Sequence, residues 1–193
     1  DTLNGGTGTD TAVFTGNMSA YAFNLNASVY TIYNPDGSVD TATGVENFQF
    51  ADGVRTAAQL PLTVGAPVRT ASITANVPSV VEGNSGVSII TFTVNLSGVP
   101  YAAQSVNFTV AGSGANAANA ADFASALTGT VNFAVGQTSA LITVQVTGDT
   151  VTELDETFTV TLTSPTTGLV IGTAAALSTI GNDDTTFAVG TAG

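Results

Sequence analysis

Four carboxylates, Asp149, Glu153, Asp155 and Glu156, stand inside the short run Gly148-Asp149-Thr150-Val151-Thr152-Glu153-Leu154-Asp155-Glu156-Thr157-Phe158. Four more follow or precede them at wide spacing: Glu82 in Val81-Glu82-Gly83-Asn84-Ser85-Gly86, Asp122 in Ala121-Asp122-Phe123, and Asp183 and Asp184 in Ile180-Gly181-Asn182-Asp183-Asp184. Oxygen donors of this kind, carried on Gly- and Asn-rich loops, suit a hard divalent cation. Ca²⁺ takes about 6–8 oxygens from flexible loops, whereas Mg²⁺ prefers a rigid octahedron and keeps its waters. Zinc and copper would call for His or Cys, and the chain has neither. The same absences remove most catalytic chemistry. Without Cys, His or Lys there is no thiol nucleophile, imidazole base or Schiff base. A glycosidase-like carboxylate pair would need a cleft lined with aromatics, and the chain has no Trp. The expectation is a protein that is not an enzyme.

The elements that must hold these acids are strands. Ile90, Phe92, Val94 and Leu96 alternate with Thr91, Thr93 and Asn95, and the same period of two runs through Val106–Val110, Val131–Phe133, Ile142–Val146 and Phe158–Leu162. A first strand near Ser72–Val81 and a last near Ala174–Ile180 make seven. Strands that are half apolar and half Thr or Asn cover one face of a sheet and leave the other wet. The expected fold is all-β: a seven-stranded antiparallel sandwich of immunoglobulin-like type over residues 71–184. Successive connections in such a fold lie at alternate ends. Glu82, Asp122, the cluster 149–156 and Asp183–Asp184 then share one rim. The opposite connections, around 97–104, 134–139 and 164–172, carry no acid. Nothing basic stands between residues 70 and 193 to neutralise that rim.

Composition narrows the partners. Two arginines, Arg55 and Arg69, face 14 acids, for a net charge of −12. Nucleic acid and anionic membrane surfaces are excluded as partners on this balance. With 44% hydrophobic and 8% charged residues, the chain is no acidic disordered segment. It has no Cys for disulfides, and no apolar run reaches the roughly 18 residues of a membrane span, so no membrane insertion is expected. Residues 61–70, with Pro61 and Pro67, read as a linker. Residues 185–193 read as a plain tail.

The sandwich motifs resemble the Calx-beta domain. Besides the acidic runs above, Gly129-Thr130-Val131-Asn132-Phe133 and Gly136-Gln137-Thr138 fit its order over about 115 residues. The resemblance implies calcium held at one rim by the side chains of Glu82, Asp122, Asp149, Glu153, Glu156, Asp183 and Asp184 and by the carbonyl of Val151. The chain departs from the fullest family pattern at Gly148, Thr150 and Asn182, where further acids can stand.

Residues 1–60 carry a different signal. Gly5-Gly6-Thr7-Gly8-Thr9-Asp10 fits the nonapeptide GGxGxD pattern, and Asp1 stands one period before Asp10. This resembles the calcium-binding repeats of repeats-in-toxin (RTX) proteins and implies Asp1 and Asp10 as ligands. Val13-Phe14-Thr15-Gly16-Asn17 and Gly44-Val45-Glu46-Asn47-Phe48-Gln49-Phe50-Ala51-Asp52-Gly53 look like the β-rich unit that follows such repeats, with Asn34-Pro35-Asp36-Gly37 as a turn. The expected N-terminal unit is a small β structure at the end of a β-roll, in a piece of a longer protein. The functional expectation is a calcium-binding structural or adhesive module of a secreted or surface-attached bacterial RTX-type protein, outside the cell. Its partners would be calcium and neighbouring copies or modules. The alternative is a self-assembling subunit of an extracellular filament or surface layer.

Overall fold

Among the described residues, every element longer than three residues is a β-strand. The computed structural model describes residues 1–63 and 65–185. The expected tail lies outside the described residues beyond Thr185. Among the described residues no helix is long and apolar enough to cross a membrane. The chain divides into two compact units: Asp1–Arg69 with Ser97–Gln104 and Phe133–Thr138, and Thr70–Leu96 with Ser105–Asn132 and the residues from Ser139 onward.

The first unit holds β1 (Thr2–Asn4), β2 (Thr11–Val13), β3 (Ala22–Asn26), β4 (Val29–Tyr33), β5 (Val39–Thr43), β6 (Asn47–Phe50) and β7 (Gly53–Thr56). One sheet runs β1-β5-β4-β3 and the other β2-β6-β7. Two of the pairings are parallel: Leu3 lies opposite Ala42, and Ala12 opposite Phe48. The stretch Leu3–Val13 is thus stacked on the stretch Ala42–Gln49, strand on strand in both sheets. Stacking this close leaves no room for a side chain at Gly5, where a Cβ would stand 2.0 Å from the Gly44 carbonyl oxygen. Ala12 is small for an inward position, and the fully buried ring of Phe48 beside it supplies the missing volume. Phe23, Ile32, Ala42, Val45, Phe50 and Leu60 complete this core. In the expected linker, Leu62 bridges Phe23, and the Thr63 amide donates to the Phe23 carbonyl at 2.6 Å.

The second unit is a sandwich of β8 (Arg69–Ala75), β9 (Ser79–Val81), β10 (Val87–Leu96), β11 (Gln104–Gly112), β12 (Thr128–Phe133), β13 (Ser139–Thr147), β14 (Glu156–Thr163), β15 (Leu169–Ile171) and β16 (Ala175–Gly181). One sheet runs β13-β10-β8-β15, the other β12-β11-β14-β16-β9. The alternation read from the sequence is the burial pattern: Ile90, Phe92 and Val94 of β10 and Phe158, Val160 and Leu162 of β14 are inward and buried. Phe92 and Phe158 meet edge-on across the two sheets at 5.9 Å, and Phe123 packs on Phe158 at 5.2 Å.

The strand count differs from seven for two physical reasons. The expected first strand is broken at Asn76-Val77-Pro78, because Pro78 has no N–H for a ladder. Its first half, β8, stays in the β10 sheet, while β9 crosses to pair in parallel with β16. The buried Ser178 hydroxyl fastens the crossing by donating to the Pro78 carbonyl at 3.1 Å. The connection expected over 164–172 contains the short β15, added at the sheet edge. The Ala-rich stretch 115–126 is a loop with one 3₁₀ turn, Ala120–Asp122.

Phe158 touches aromatic neighbours on two sides and is fully buried. Phe158→Ala should therefore cost about 3–5 kcal/mol of stability. Urea unfolding would measure it, and a loss under about 1 kcal/mol would mean that the two sheets do not share this core.

Candidate metal centre

The parallel pairing of β9 with β16 puts Val81 opposite Gly181, so the two strands leave their sheet side by side. Glu82 follows one and Asp183 and Asp184 follow the other. The Glu82 amide donates to the Gly181 carbonyl at 3.1 Å, and the Gly83 amide donates to Asp183 Oδ1 at 3.1 Å. Asn84 Nδ2 reaches Asp183 Oδ2 at 3.2 Å. Oxygens of Glu82, Asp183 and Asp184 lie within 4.8 Å of one another. Glu82 is 96% buried in residue terms (4% exposed), and its Oε1 has no hydrogen-bond partner. Asp184 Oδ2 is likewise covered and unpartnered.

A second group forms between the β11–β12 and β13–β14 loops. Asp122, Glu153 and Glu156 also bring oxygens within 4.8 Å of one another. Asp122 is buried, and the Asn119 amide donates to its Oδ2 at 2.6 Å in a capping box over the 3₁₀ turn. Asp149 accepts from the Val151 amide at 2.7 Å, which folds the loop back on itself. The loop also packs against the Glu82 turn. The Gly148 amide donates to the Gly86 carbonyl at 3.1 Å, and a Cβ on Gly148 would stand 2.2 Å from the Gly83 oxygen. An acid cannot replace Gly148 in this conformation, which accounts for that departure from the fuller pattern.

The electrostatics join the two groups. Burial pushes the Glu82 carboxyl up, and the charges of Asp149, Glu153, Asp184 and Asp183 add to it. Burial also raises Asp184, with Asp183 and Asp149 contributing. Glu156 is pushed up to about 7, first by burial and then by its hydrogen bond to Asp122 and the charges of Asp122, Glu153 and Glu82. The seven acids of the expected sandwich site therefore act on one another at a single rim. Val151 is exposed beside Asp149.

The structure assigns Asp155 a different place from the triads. Its Oδ1 accepts from the Asn182 amide at 3.1 Å, so it positions the exit of β16. Asn84, Asn119 and Asn182 are the orienting residues that sequence reasoning passed over. The Asn119-x-x-Asp122 capping spacing was the one available signal for them. The two N-terminal candidates lie elsewhere. Asp1 sits before β1, its amino group against Asp40 and its carbonyl accepting from the Thr41 amide. The Asp10 amide donates to Glu46 Oε2 at 2.9 Å, while Asp10 Oδ2 is covered and unpartnered. Among the described residues, neither belongs to a group of three acids.

The Calx-beta domain family model matches residues 69–184, and that span contains both acidic triads. The chain belongs to the Calx-beta domain family. Among solved structures, it is similar to CBD12 from CALX1.2, at 24% identity and a TM-score of 0.50, over 60% of this chain and 46% of that one. It is also similar to the apo form of the Calx CBD1 domain, at 22% identity and a TM-score of 0.49, over 61% of this chain and 99% of that one. No curated protein matches the chain.

The donor set of this Calx-beta domain fits a hard cation: carboxylates only, two of them with covered oxygens that bond to nothing among the described residues. Without an ion, the fold relieves its repulsion by keeping a proton on Glu156 between about pH 4.5 and 7, where the unfolded chain has lost it. The folded state then binds more protons than the unfolded state, so its stability falls as pH rises through that window. Thermal melts of the metal-stripped chain should show a higher melting temperature at pH 5 than at pH 8. A flat profile or the opposite slope would contradict this charge balance.

Proposed function

We propose that this Calx-beta domain binds calcium at its acidic rim and is stiffened by it. The observation that carries the reading is Glu82, a carboxylate buried with an unpartnered oxygen, facing Asp183 and Asp184 with no basic residue from Thr70 onward to offset them. Three like charges at such spacing repel by about 1 kcal/mol per pair in water and about 4 at an effective dielectric of 20. A divalent ion turns that cost into binding energy. Calx-beta domains are calcium-binding modules, and a similar solved structure is described as calcium binding domain CBD12 of CALX1.1. On this reading Glu82, Asp183 and Asp184 hold one ion region, and Asp122, Glu153 and Glu156 another. Asp149 and the Val151 carbonyl complete the set. The domain has no catalytic role.

The wider setting belongs to the same proposal. The N-terminal unit reads as the last turns of an RTX-type calcium-binding roll, with Asp1 and Asp10 as ligands. This is supported by the parallel stacking of β1 on β5 and β2 on β6, by the Gly5 close approach and by the unpartnered Asp10 oxygen. The whole is then a structural or adhesive module of a secreted or surface-attached bacterial protein, working outside the cell. Because Asp183 and Asp184 sit where the chain leaves the sandwich, calcium would fix the direction of whatever follows.

The test is thermal melting of the full chain in chelator, in calcium and in magnesium, for the parent and for Asp183→Asn with Asp184→Asn. At a calcium level about 100 times Kd, linkage predicts about 2.7 kcal/mol, a rise on the order of 10 °C for a unit of this size. Magnesium should give little. The double variant should lose most of the rise while melting at or above the parent in chelator, since two repelling charges are gone. A variant that melts like the parent at every calcium level would overturn the assignment.

A further inference from the structure

The most exposed pairing edge of the sandwich is β13. Among the described residues it ends its sheet, beside β10, and it runs for nine residues, Ser-Ala-Leu-Ile-Thr-Val-Gln-Val-Thr. The other edges, β15 and β9, have three residues each, and β12 has six. Sheet edges are ordinarily blunted by Lys, Pro, a bulge or shortness. β13 has no charge, no proline and an unbroken register with β10 from Ser139 to Thr147. Its far end is covered. There the Ala124 amide donates to the Gln145 carbonyl, Ser125 Oγ accepts from the Gln145 amide, and Phe123 bridges Val146. Those bonds show that Gln145 turns its backbone groups away from β10. By the alternation of an antiparallel ladder, Thr143 and Leu141 do the same. Among the described residues nothing pairs with them on that side, and the Leu141 side chain is 63% exposed.

We infer that a second copy of this chain pairs antiparallel along β13, with Leu141–Thr143 of each copy exchanging backbone N–H···O=C bonds near a two-fold axis. The edge is self-complementary about a two-fold axis, which makes a second copy its partner, and charge selects the direction. The outward positions Leu141, Thr143, Val87, Ile89, Thr91 and Thr93 beside this edge are all uncharged, so a second copy meets no like charge from them at the contact. β13 runs from the acid-free end towards the acidic rim at Asp149. Parallel pairing would set two acidic rims side by side. Antiparallel pairing sets them at opposite ends, on the order of 45 Å apart at about 3.4 Å per strand residue, well beyond a screening length of about 8 Å. The covering segment 123–125 confines the pairing to the Leu141 half of the strand and so fixes its register. The product is one continuous sheet through both copies, an isologous dimer. The inference stands apart from the calcium reading, because the rims take no part in the contact.

Sedimentation equilibrium of the full chain, from micromolar to millimolar concentration and in both calcium and chelator, tests it. The weight-average mass should climb from 19.1 kDa towards twice that value in both conditions. Thr143→Pro removes an N–H that donates to nothing among the described residues, so the fold should persist while the dimer weakens by about tenfold or more. Leu141→Lys, which leaves the backbone alone, should weaken it comparably by setting like charges beside the axis. A parent that stays monomeric throughout overturns the inference, as does a dimer indifferent to both variants. So does a dimer that forms only once residues 186–193 are deleted, since the tail would then be the natural occupant of the edge.

Discussion

Like charge gathered at one end of the sandwich is the constraint around which the rest of the structure is arranged. Glu82, Asp122, Asp149, Glu153, Glu156, Asp183 and Asp184 arrive from four separate stretches of chain, and no Lys, Arg or His of the unit answers them. A fold does not collect uncompensated carboxylates and bury two of them, Glu82 and Asp122, without a reason that offsets the cost. The raised Glu82, Glu156 and Asp184 carboxyls are the sign of that cost, with burial as the first cause of each. A cation that takes many oxygens removes it.

Local chemistry keeps the acids in place. The break at Pro78 frees β9 to cross to β16, and this crossing, more than any loop, brings Glu82 to Asp183. Gly148 lets the acidic β13–β14 loop lie directly on the Glu82 turn. Asn84, Asn119 and Asp155 each commit a hydrogen bond to orienting an acidic loop. The sheet face beside β13 is uncharged, with Val87, Ile89, Thr91 and Thr93 next to Leu141 and Thr143.

Much of this was legible in the sequence because β structure with one wet face writes itself as alternation. Phe92, Val94, Phe158, Val160 and Leu162 were read as inward and are buried. The acids were read as sharing a rim from the parity of connections alone, and seven of them interact there. The crossing of β9 was not legible, because Ser72–Val81 alternates smoothly enough to pass for one strand and a sheet switch has no side-chain period of its own. The short β15 was missed because three residues carry too little pattern. The parallel stacking of Leu3 on Ala42 and Ala12 on Phe48 joins residues nearly forty positions apart, which no local signal marks. The role of Gly148 was legible only as an absence of acid, since a close backbone approach is a property of two loops together.

Isothermal titration calorimetry of calcium into the metal-stripped full chain, in a constant background of millimolar magnesium, tests the central claim most directly. The account predicts saturable, calcium-selective binding with protons released on loading at neutral pH, because Glu156 gives up its share of a proton as the ion arrives. Calcium heats no larger than those of magnesium, with no saturation and no proton release, would contradict it.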